Sequence, residues 1–412
     1  MVAFKKINEL VYLIGGRSDT TRSIRECDVM LFCHDVDRGV TLEGRAYSAL
    51  LDSTRESLEL SGIRCVSVAH PWSQLTGEKG YGAPIAMNRL YFFSLLLKKF
   101  SKIFRFNLTF NPYEGLIKKA SPKFIITIGC SDDLCEAARK LDVFHAELLH
   151  GIGYTFVPWE WDKKETRHLP QAIISLDEVS TKAFSALYRH NIFIKQVAHP
   201  FFKKFLGSEF AILPKEWALA DIKNKKEILV TMQWGYAPHI EGADSGVLAL
   251  SNGLFYAELE EVVKQTRESI FWRFRFHPVQ YRQKEKYSEL FDFMDVFVRN
   301  NDNCEWKDST YKPLPSLLLR CDGHITMSSM VSYEAAYFGV QTIALCPTLR
   351  GDGQYADYFE DLVESEYLKK IEVSVKEVYT WAVSVGKKQP LVADLFDSDD
   401  LSSWVALKAR NS

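Results

Sequence analysis

Short apolar runs, many rich in β-branched residues, alternate along this chain with longer stretches whose apolar positions recur every three or four residues. Runs of four to six residues suit buried parallel strands, and the longer recurrence suits amphipathic helices. In the first half the pattern predicts strands at 29–33, 65–68, 124–128, 146–149 and 172–175, with helices at 47–60, 87–104, 132–141 and 181–189. The second half predicts strands at 228–232, 271–276, 296–299, 323–326 and 342–346, with helices at 254–266, 314–320, 332–338 and 373–385. Strand–helix alternation on this scale implies α/β units with right-handed crossovers.

The polar segment 213–226 separates two such alternations and is the expected linker. The expected fold class is α/β: two Rossmann-like domains whose parallel sheets face an interdomain cleft. The N-terminal domain is expected over 1–212 and the C-terminal one over 213–385, with a final segment, 386–412, packing back on the N-terminal domain. A length of 412 residues fits two domains.

Composition narrows the function. Aromatic residues make up 13% of the chain, which excludes disorder as its main state. The 51 Lys and Arg against 53 Asp and Glu leave a formal charge of -2, so a nucleic-acid partner is not expected. The eight cysteines form no C-x-x-C and no zinc-finger spacing, and read as small buried hydrophobes in a reducing cytoplasm. The opening MVAFKKINELVYLIGG lacks a signal-peptide core, and no run reaches the roughly 18 apolar residues of a membrane span. The expected location is cytoplasmic, or peripheral on the inner face of the cytoplasmic membrane. Residues 87–106, MNRLYFFSLLLKKFSKIFRF, offer a basic, aromatic amphipathic helix for that contact, although core packing of its apolar face explains the same pattern.

Ligands of open α/β sheets bind beyond the carboxyl ends of the strands. Polar segments stand there in both halves. Gln233-Trp234-Gly235-Tyr236, with His239, Glu241 and Asp244 beyond, follows one strand; His277-Pro278 follows another. Ser328 and Ser329 follow a third and open a helix that carries Glu334. A Ser pair at a helix start suits an anion, and equally a simple N-cap. Glu334 is placed to reach a ribose diol, or to sit as a solvated helix residue. His34-Asp35-Val36-Asp37 offers two carboxylates for acid–base work, for a divalent cation, or for a tight turn. His150-Gly151 follows AELL. Trp159-Glu160-Trp161-Asp162 sets carboxylates between indoles, as a desolvated acid, a sugar platform or a packing loop. No Gly-rich dinucleotide loop, Walker A, H-E-x-x-H or G-x-S-x-G motif occurs.

The order His150-Gly151, His277-Pro278, Ser328-Ser329 resembles bacterial GT-B glycosyltransferases that use CMP-activated 2-keto sugars. These are the sialyltransferases and the Kdo transferases of capsule and O-antigen assembly, the β-Kdo transferase modules above all. HDVDRGVTLEGRAYSALLDS, VAHPWSQLTG, LLHGIGYTFVPW, VTMQWGY, FRFHPVQ and GHITMSSMVSYEAAYFGV carry the likeness, in motif order, over residues 28–350. The resemblance implies transfer of Kdo or a related sugar from its CMP form to a lipopolysaccharide O-antigen or capsule glycan, lipid-linked, without cofactor or metal. It implies that His277, with Pro278, touches the phosphate or leaving oxygen, that Ser328 and Ser329 bind the phosphate, that Glu334 binds ribose, and that Gln233 borders the donor sugar. His150, Gly151 and Trp159 fall on the acceptor or sugar side. His150-Gly151 stands where sialyltransferases carry an acidic motif, so the catalytic carboxylate is expected from Asp35, Asp37, Glu160 or Asp244. A CDP-alcohol phosphotransferase of teichoic-acid type, a nucleotide-sugar epimerase and a non-catalytic glycan- or nucleotide-binding subunit are the rivals.

Overall fold

The computed structural model describes residues 21–104, 110–207, 213–241, 250–391 and 401–411. The chain divides into two compact units, Met1–Lys204 with Asp394–Ser412, and Phe205–Ala393. The segment 213–226 belongs to the second unit, where Trp217 is buried and stacks on Phe205 at 5.9 Å.

In the first unit β1 (Val29–Cys33) is buried along its whole length, as a strand covered on both faces must be. A small antiparallel hairpin follows, β2 (Val40–Leu42) and β3 (Arg45–Tyr47), and then β4 (Cys65–Ala69). β5 (Phe124–Thr127), β6 (Phe144–Leu148), β7 (Ala172–Ser175) and β8 (Phe193–Gln196) complete a six-stranded parallel sheet in the order β4-β1-β5-β6-β7-β8. Met30, Phe32, Ile125 and Leu134 pack in its core. The buried Arg38 Nη1 meets the buried Asp52 Oδ2 at 2.7 Å and ties the hairpin region to helix Leu51–Leu60. Helix Leu401–Asn411 packs on this unit: Trp404 meets Phe124 edge-on at 5.3 Å, and Ser402 Oγ lies 3.4 Å from Ser57 Oγ.

The second unit repeats the design. β9 (Lys226–Thr231), β10 (Ile270–Arg275), β11 (Cys304–Glu305), β12 (Gly323–Thr326), β13 (Gln341–Ala344) and β14 (Leu368–Lys370) form a parallel sheet in the order β11-β10-β9-β12-β13-β14. Arg273, wholly buried, is held by Glu227 at 2.5 Å and Glu305 at 3.0 Å. His324 in β12 is buried between Thr231 Oγ1 at 2.8 Å and Thr342 Oγ1 at 3.0 Å.

One expected strand is a helix. Residues 296–299 lie within Ser288–Asn300, whose buried residues Leu290, Phe291, Met294 and Phe297 recur with helical spacing. The two valines that mimic a strand include Val296, which is 51% exposed. The edge strand of that region is β11, too short to leave a hydrophobic run. All eight cysteines are free thiols, six buried and Cys65 and Cys130 half-buried.

Candidate functional site

In the second unit the chain passes from β9 to β10 on one side and later returns to β12 on the other. The topological switch point therefore lies between the carboxyl ends of β9 and β12, where open sheets bind ligands. Gln233 follows β9 and Ser328 follows β12. Gln233 Oε1 accepts the Ser328 N–H at 2.5 Å and the Thr326 hydroxyl at 3.3 Å. Thr326 Oγ1 accepts the Ser329 N–H at 3.3 Å, and Ser329 Oγ accepts the Val331 N–H at 3.2 Å, at the start of helix Val331–Tyr337. The Ser328 amide is thus spent on Gln233 and the Ser329 oxygen on the helix. The Ser328 hydroxyl also interacts with the Tyr236 phenol, and the Ser329 hydroxyl keeps its proton for a ligand.

His277 follows β10, the strand beside β9, and caps helix Pro278–Arg282. Pro278 suits the first helical position, where no N–H is needed. His277 Nδ1 accepts the Val279 N–H at 3.2 Å, and its own N–H donates to Gln280 Oε1 at 3.0 Å. An accepting Nδ1 puts the proton of the neutral ring on Nε2. Burial, helped by Arg282 and Arg275, pulls the ring's pKa down to about 4. At neutral pH His277 is therefore an uncharged donor through Nε2. The exposed indole of Trp234 lies 6.3 Å from its ring.

Glu334, half-buried on helix Val331–Tyr337, has no hydrogen bond to the described residues. Burial pushes its carboxyl up to about 7 against a smaller pull from Arg275. Arg275 donates to the Ser309 and Lys312 carbonyls, so its charge is fixed in place, within electrostatic reach of both His277 and Glu334. Glu241 Oε2 accepts the Gly235 N–H at 2.7 Å and the Ala237 N–H at 3.1 Å, holding the loop after β9. Gly235 takes φ +100°, open to glycine without strain. Asp244 lies outside the described residues.

In the first unit His150 and Gly151 follow β6. The His150 ring nitrogens lie 3.0 and 3.2 Å from the Tyr154 hydroxyl, and its ring is 5.5 Å from Trp159. Trp159 is 50% exposed and packs against Trp161 at 5.4 Å. Trp159 and Glu160 both adopt left-handed backbone, φ 58° and 53°, which costs energy for non-glycine residues and marks a conformation the surroundings impose. Asp177 Oδ2 accepts the Gly153 N–H at 2.9 Å and Ser180 Oγ the Tyr154 N–H at 3.1 Å, fixing this loop to helix Glu178–Phe184. The result is a rigid aromatic surface of the kind that stacks on sugar rings.

The three candidate carboxylates of this unit, Asp35, Asp37 and Glu160, each have partners. Asp35 accepts the Gln74 N–H at 2.5 Å and the Leu75 N–H at 3.3 Å. Asp37 accepts the His34 N–H at 3.1 Å and stands close enough to Tyr154 to raise its pKa. Glu160 is exposed and paired with Lys163 at 2.7 Å. The sequence reading passed over Glu147, buried on β6. It accepts the Gly129 N–H at 2.5 Å, the Cys130 N–H at 3.1 Å and the Thr127 hydroxyl, and burial pushes it up to about 8. Its only signal was an acidic residue inside the otherwise apolar AELL. Among the described residues no group of three His, Cys, Asp or Glu is placed to hold a metal ion.

Helix Asn88–Phe104 leaves Phe93, Leu95 and Phe100 exposed beside exposed Arg89, Lys98 and Lys99, and Lys98 pairs with Asp133 at 2.7 Å. Residues 105 and 106 of the basic stretch lie outside the described residues. No described helix is long and apolar enough to cross a membrane.

No protein-family profile matches the chain. No curated protein matches it either. Solved structures match in fold. A UDP-N-acetylglucosamine 2-epimerase from Rickettsia bellii is 11% identical with a TM-score of 0.50, over 94% of this chain and 97% of that one. The wall teichoic acid polymerase TagF is 12% identical with a TM-score of 0.50, over 99% of this chain and 91% of that one. At such identity the likeness is one of fold, and the fold is GT-B, α/β with two parallel sheets.

Proposed function

We propose that this protein is a glycosyltransferase that moves Kdo, or a related 2-keto acid sugar, from its CMP-activated form to a bacterial surface glycan. The observation that carries the reading is the cluster at the β9/β12 switch point, Gln233, Ser328 and Ser329 in one hydrogen-bonded chain, together with His277 at the end of the neighbouring β10, a neutral Nε2 donor whose ring lies 6.3 Å from that of Trp234. A nucleoside monophosphate leaving group needs donors aimed at developing negative charge, and fixed neutral donors supply that without reorganisation. His277 and the two serine hydroxyls meet the phosphate in this reading, Glu334 the ribose and Gln233 the sugar. The motif order favours a CMP donor over other nucleotides. One phosphate facing these donors, with Arg275 behind them, needs no metal.

The first unit takes the acceptor in this reading, with a sugar stacked on Trp159 and held by His150 and the Gly151 backbone. A lipid-linked acceptor fits the exposed Phe93, Leu95 and Phe100 amid Arg89, Lys98 and Lys99, which suit the anionic inner face of the cytoplasmic membrane. No nucleic-acid partner belongs to the reading.

The test is a melting-temperature panel with CMP, CDP, UMP, UDP and GDP, each with and without EDTA. A ligand that binds only the native state raises apparent stability. CMP is expected to stabilise selectively and EDTA to change nothing, with CMP released from CMP-Kdo when an acceptor is added. Stabilisation by CDP alone moves the assignment to a CDP-alcohol donor, and by UDP alone to a UDP-sugar enzyme. A protein that responds to no nucleotide overturns the reading.

A further inference from the structure

Cys130 and Cys135 flank one helix start in the first unit. Cys130 comes three residues after β5, and Cys135 lies in the first turns of helix Asp132–Lys140. Ser131 between them is the N-cap of that helix. Its Oγ accepts the Leu134 N–H at 3.3 Å, and its carbonyl accepts the Cys135 N–H at 3.0 Å. Cys130 is therefore the residue before the cap, and Cys135 is the fourth residue of the helix. Side chains at these two positions pack on each other at a capped helix start, usually as an apolar pair. Here both carry sulfur, and the two thiols interact directly.

The two sulfurs differ in access. Cys130 is half-buried beside the exposed Gly129, whereas Cys135 is 1% exposed. One thiol is open to a reagent and the other stands behind it. Their surroundings favour a thiolate in the pair, which is the reactive form of cysteine. The Cys130 S–H donates to the Cys135 sulfur and draws that thiol below its ordinary range. Burial opposes this, and the wholly buried His145 adds to the pull.

The turn that carries Cys130 is well seated. Glu147 accepts the Gly129 N–H at 2.5 Å and the Cys130 N–H at 3.1 Å, and Gly129 lies so close to His34 that a Cβ would stand 2.8 Å from its Cδ2. The Cys130 side chain packs against the cluster that holds Leu149, Trp161 and Phe184. A bridge from Cys130 to Cys135 would tie this turn covalently to the helix that follows it.

We propose that Cys130 and Cys135 form a reversible dithiol–disulfide site, oxidised by a small disulfide such as oxidised glutathione and restored by a thiol reductant. In a reducing compartment such bridges are transient and report on redox state. The proposal stands apart from the glycosyltransferase reading and does not need it. The pair first gives one proton to solvent. The proton that remains moves between the sulfurs, so the exposed Cys130 attacks as thiolate while Cys135 holds it. The Cys130 sulfur bonds to one sulfur of the oxidant, whose S–S bond breaks, and one glutathione leaves as thiolate and takes up a proton. Cys135 then releases its proton and attacks the Cys130 sulfur of the mixed disulfide. The bond to glutathione breaks, and the second glutathione leaves and is protonated. The protein has lost two electrons and two protons, and the oxidant has become two thiols.

The test uses the full chain, reduced, freed of reductant and incubated with oxidised glutathione. Free thiols are then blocked with iodoacetamide in denaturant and located by mass spectrometry after proteolysis. Cys130 and Cys135 are expected to lose alkylation together, in a peptide lighter by two hydrogens than its reduced form, and dithiothreitol should restore both. Cys135→Ser should stop at the mixed disulfide and keep one glutathionyl group on Cys130. Cys130→Ser should take up none at Cys135. Cys65→Ser, at the other half-buried cysteine, should bridge 130 to 135 as the wild type does. The wild-type pattern decides by itself if a variant fails to fold. Cys130 and Cys135 still alkylated after oxidised glutathione overturn the proposal. So does a wild-type mixed disulfide at Cys130 that Cys135 never resolves, or a bridge that dithiothreitol does not reverse.

Discussion

Gln233 Oε1 accepts the Ser328 N–H at 2.5 Å, joining the residues that leave β9 and β12 across the switch point of the second sheet. The bond closes a chain that runs on through Thr326 and Ser329 to the first amide of helix Val331–Tyr337. Two strands and a helix are thereby set in register by side chains that also face the proposed phosphate. The same bond removes one backbone donor from ligand binding, so Gln233 both positions the serines and limits which of their atoms act.

Gln233→Leu tests that double role. It leaves the Ser328 amide unmatched in a half-buried place, a loss worth about 1–3 kcal/mol. CMP affinity, read by calorimetry, should fall about tenfold or more, with a smaller fall in melting temperature. Unchanged CMP affinity would show that the serines hold their places without Gln233.

His277 should behave as a neutral donor, not as a titrating switch. With its pKa drawn down to about 4, the ring stays uncharged across pH 5–8. NMR of the ring nitrogens against pH should show the Nε2–H tautomer throughout that range and a titration near 4. A midpoint between 6 and 7 would contradict the assignment. His277→Gln should cut turnover by about 10²–10³-fold, the usual worth of one donor aimed at developing charge.

The alternation of runs made the two parallel sheets legible, because strands such as VMLFC and FIIT are buried on both faces and must be apolar throughout. It misread 296–299, where valines sit on the outer side of a helix whose inner face is Leu290, Phe291, Met294 and Phe297. It also missed edge strands such as β11 and β14, whose exposed faces carry polar residues. The site was legible where residues directly follow strands, as with Gln233, His277 and Ser328. It was not legible where a residue acts from within a strand or through a partner distant in sequence. Glu147 looks like an intruder in a strand until Gly129 and Cys130 fold over it. Asp35 looks like a free carboxylate until residues 74 and 75 return to it.

Buried histidines should dominate acid unfolding. His324, wholly buried between two threonines, is held down to about 3 by burial, and His70 likewise. The unfolded chain binds these protons near pH 6.5 and the folded one does not, so their contribution is full above 6.5 and is lost as pH falls toward 3. His324→Val should flatten the pH dependence of unfolding free energy by about one proton across that window. It should also lower stability at pH 7 by about 1–3 kcal/mol, through the unmatched Thr231 and Thr342 hydroxyls. Denaturant melts at several pH values give both numbers, and an unchanged slope would show that His324 is protonated in the fold.

Glu334 runs the other way. Burial raises its carboxyl from 4.5 to about 7, so the folded protein holds a proton that the unfolded chain releases. Its contribution to stability is complete below 4.5 and is lost as pH rises through 7. Glu334→Gln should therefore lose less stability than the wild type between pH 5 and 8. A ribose diol supplies what the ionised carboxylate lacks, since its hydroxyls donate to a group with no other hydrogen bond among the described residues. CMP should bind the wild type about tenfold more tightly than its 2′-deoxy analogue, the worth of one hydrogen bond to a charged group. Glu334→Leu should bind the two alike. Equal binding of both nucleotides by the wild type would remove Glu334 from the ribose and leave its raised pKa as a consequence of burial alone, which outweighs the opposing pull of Arg275.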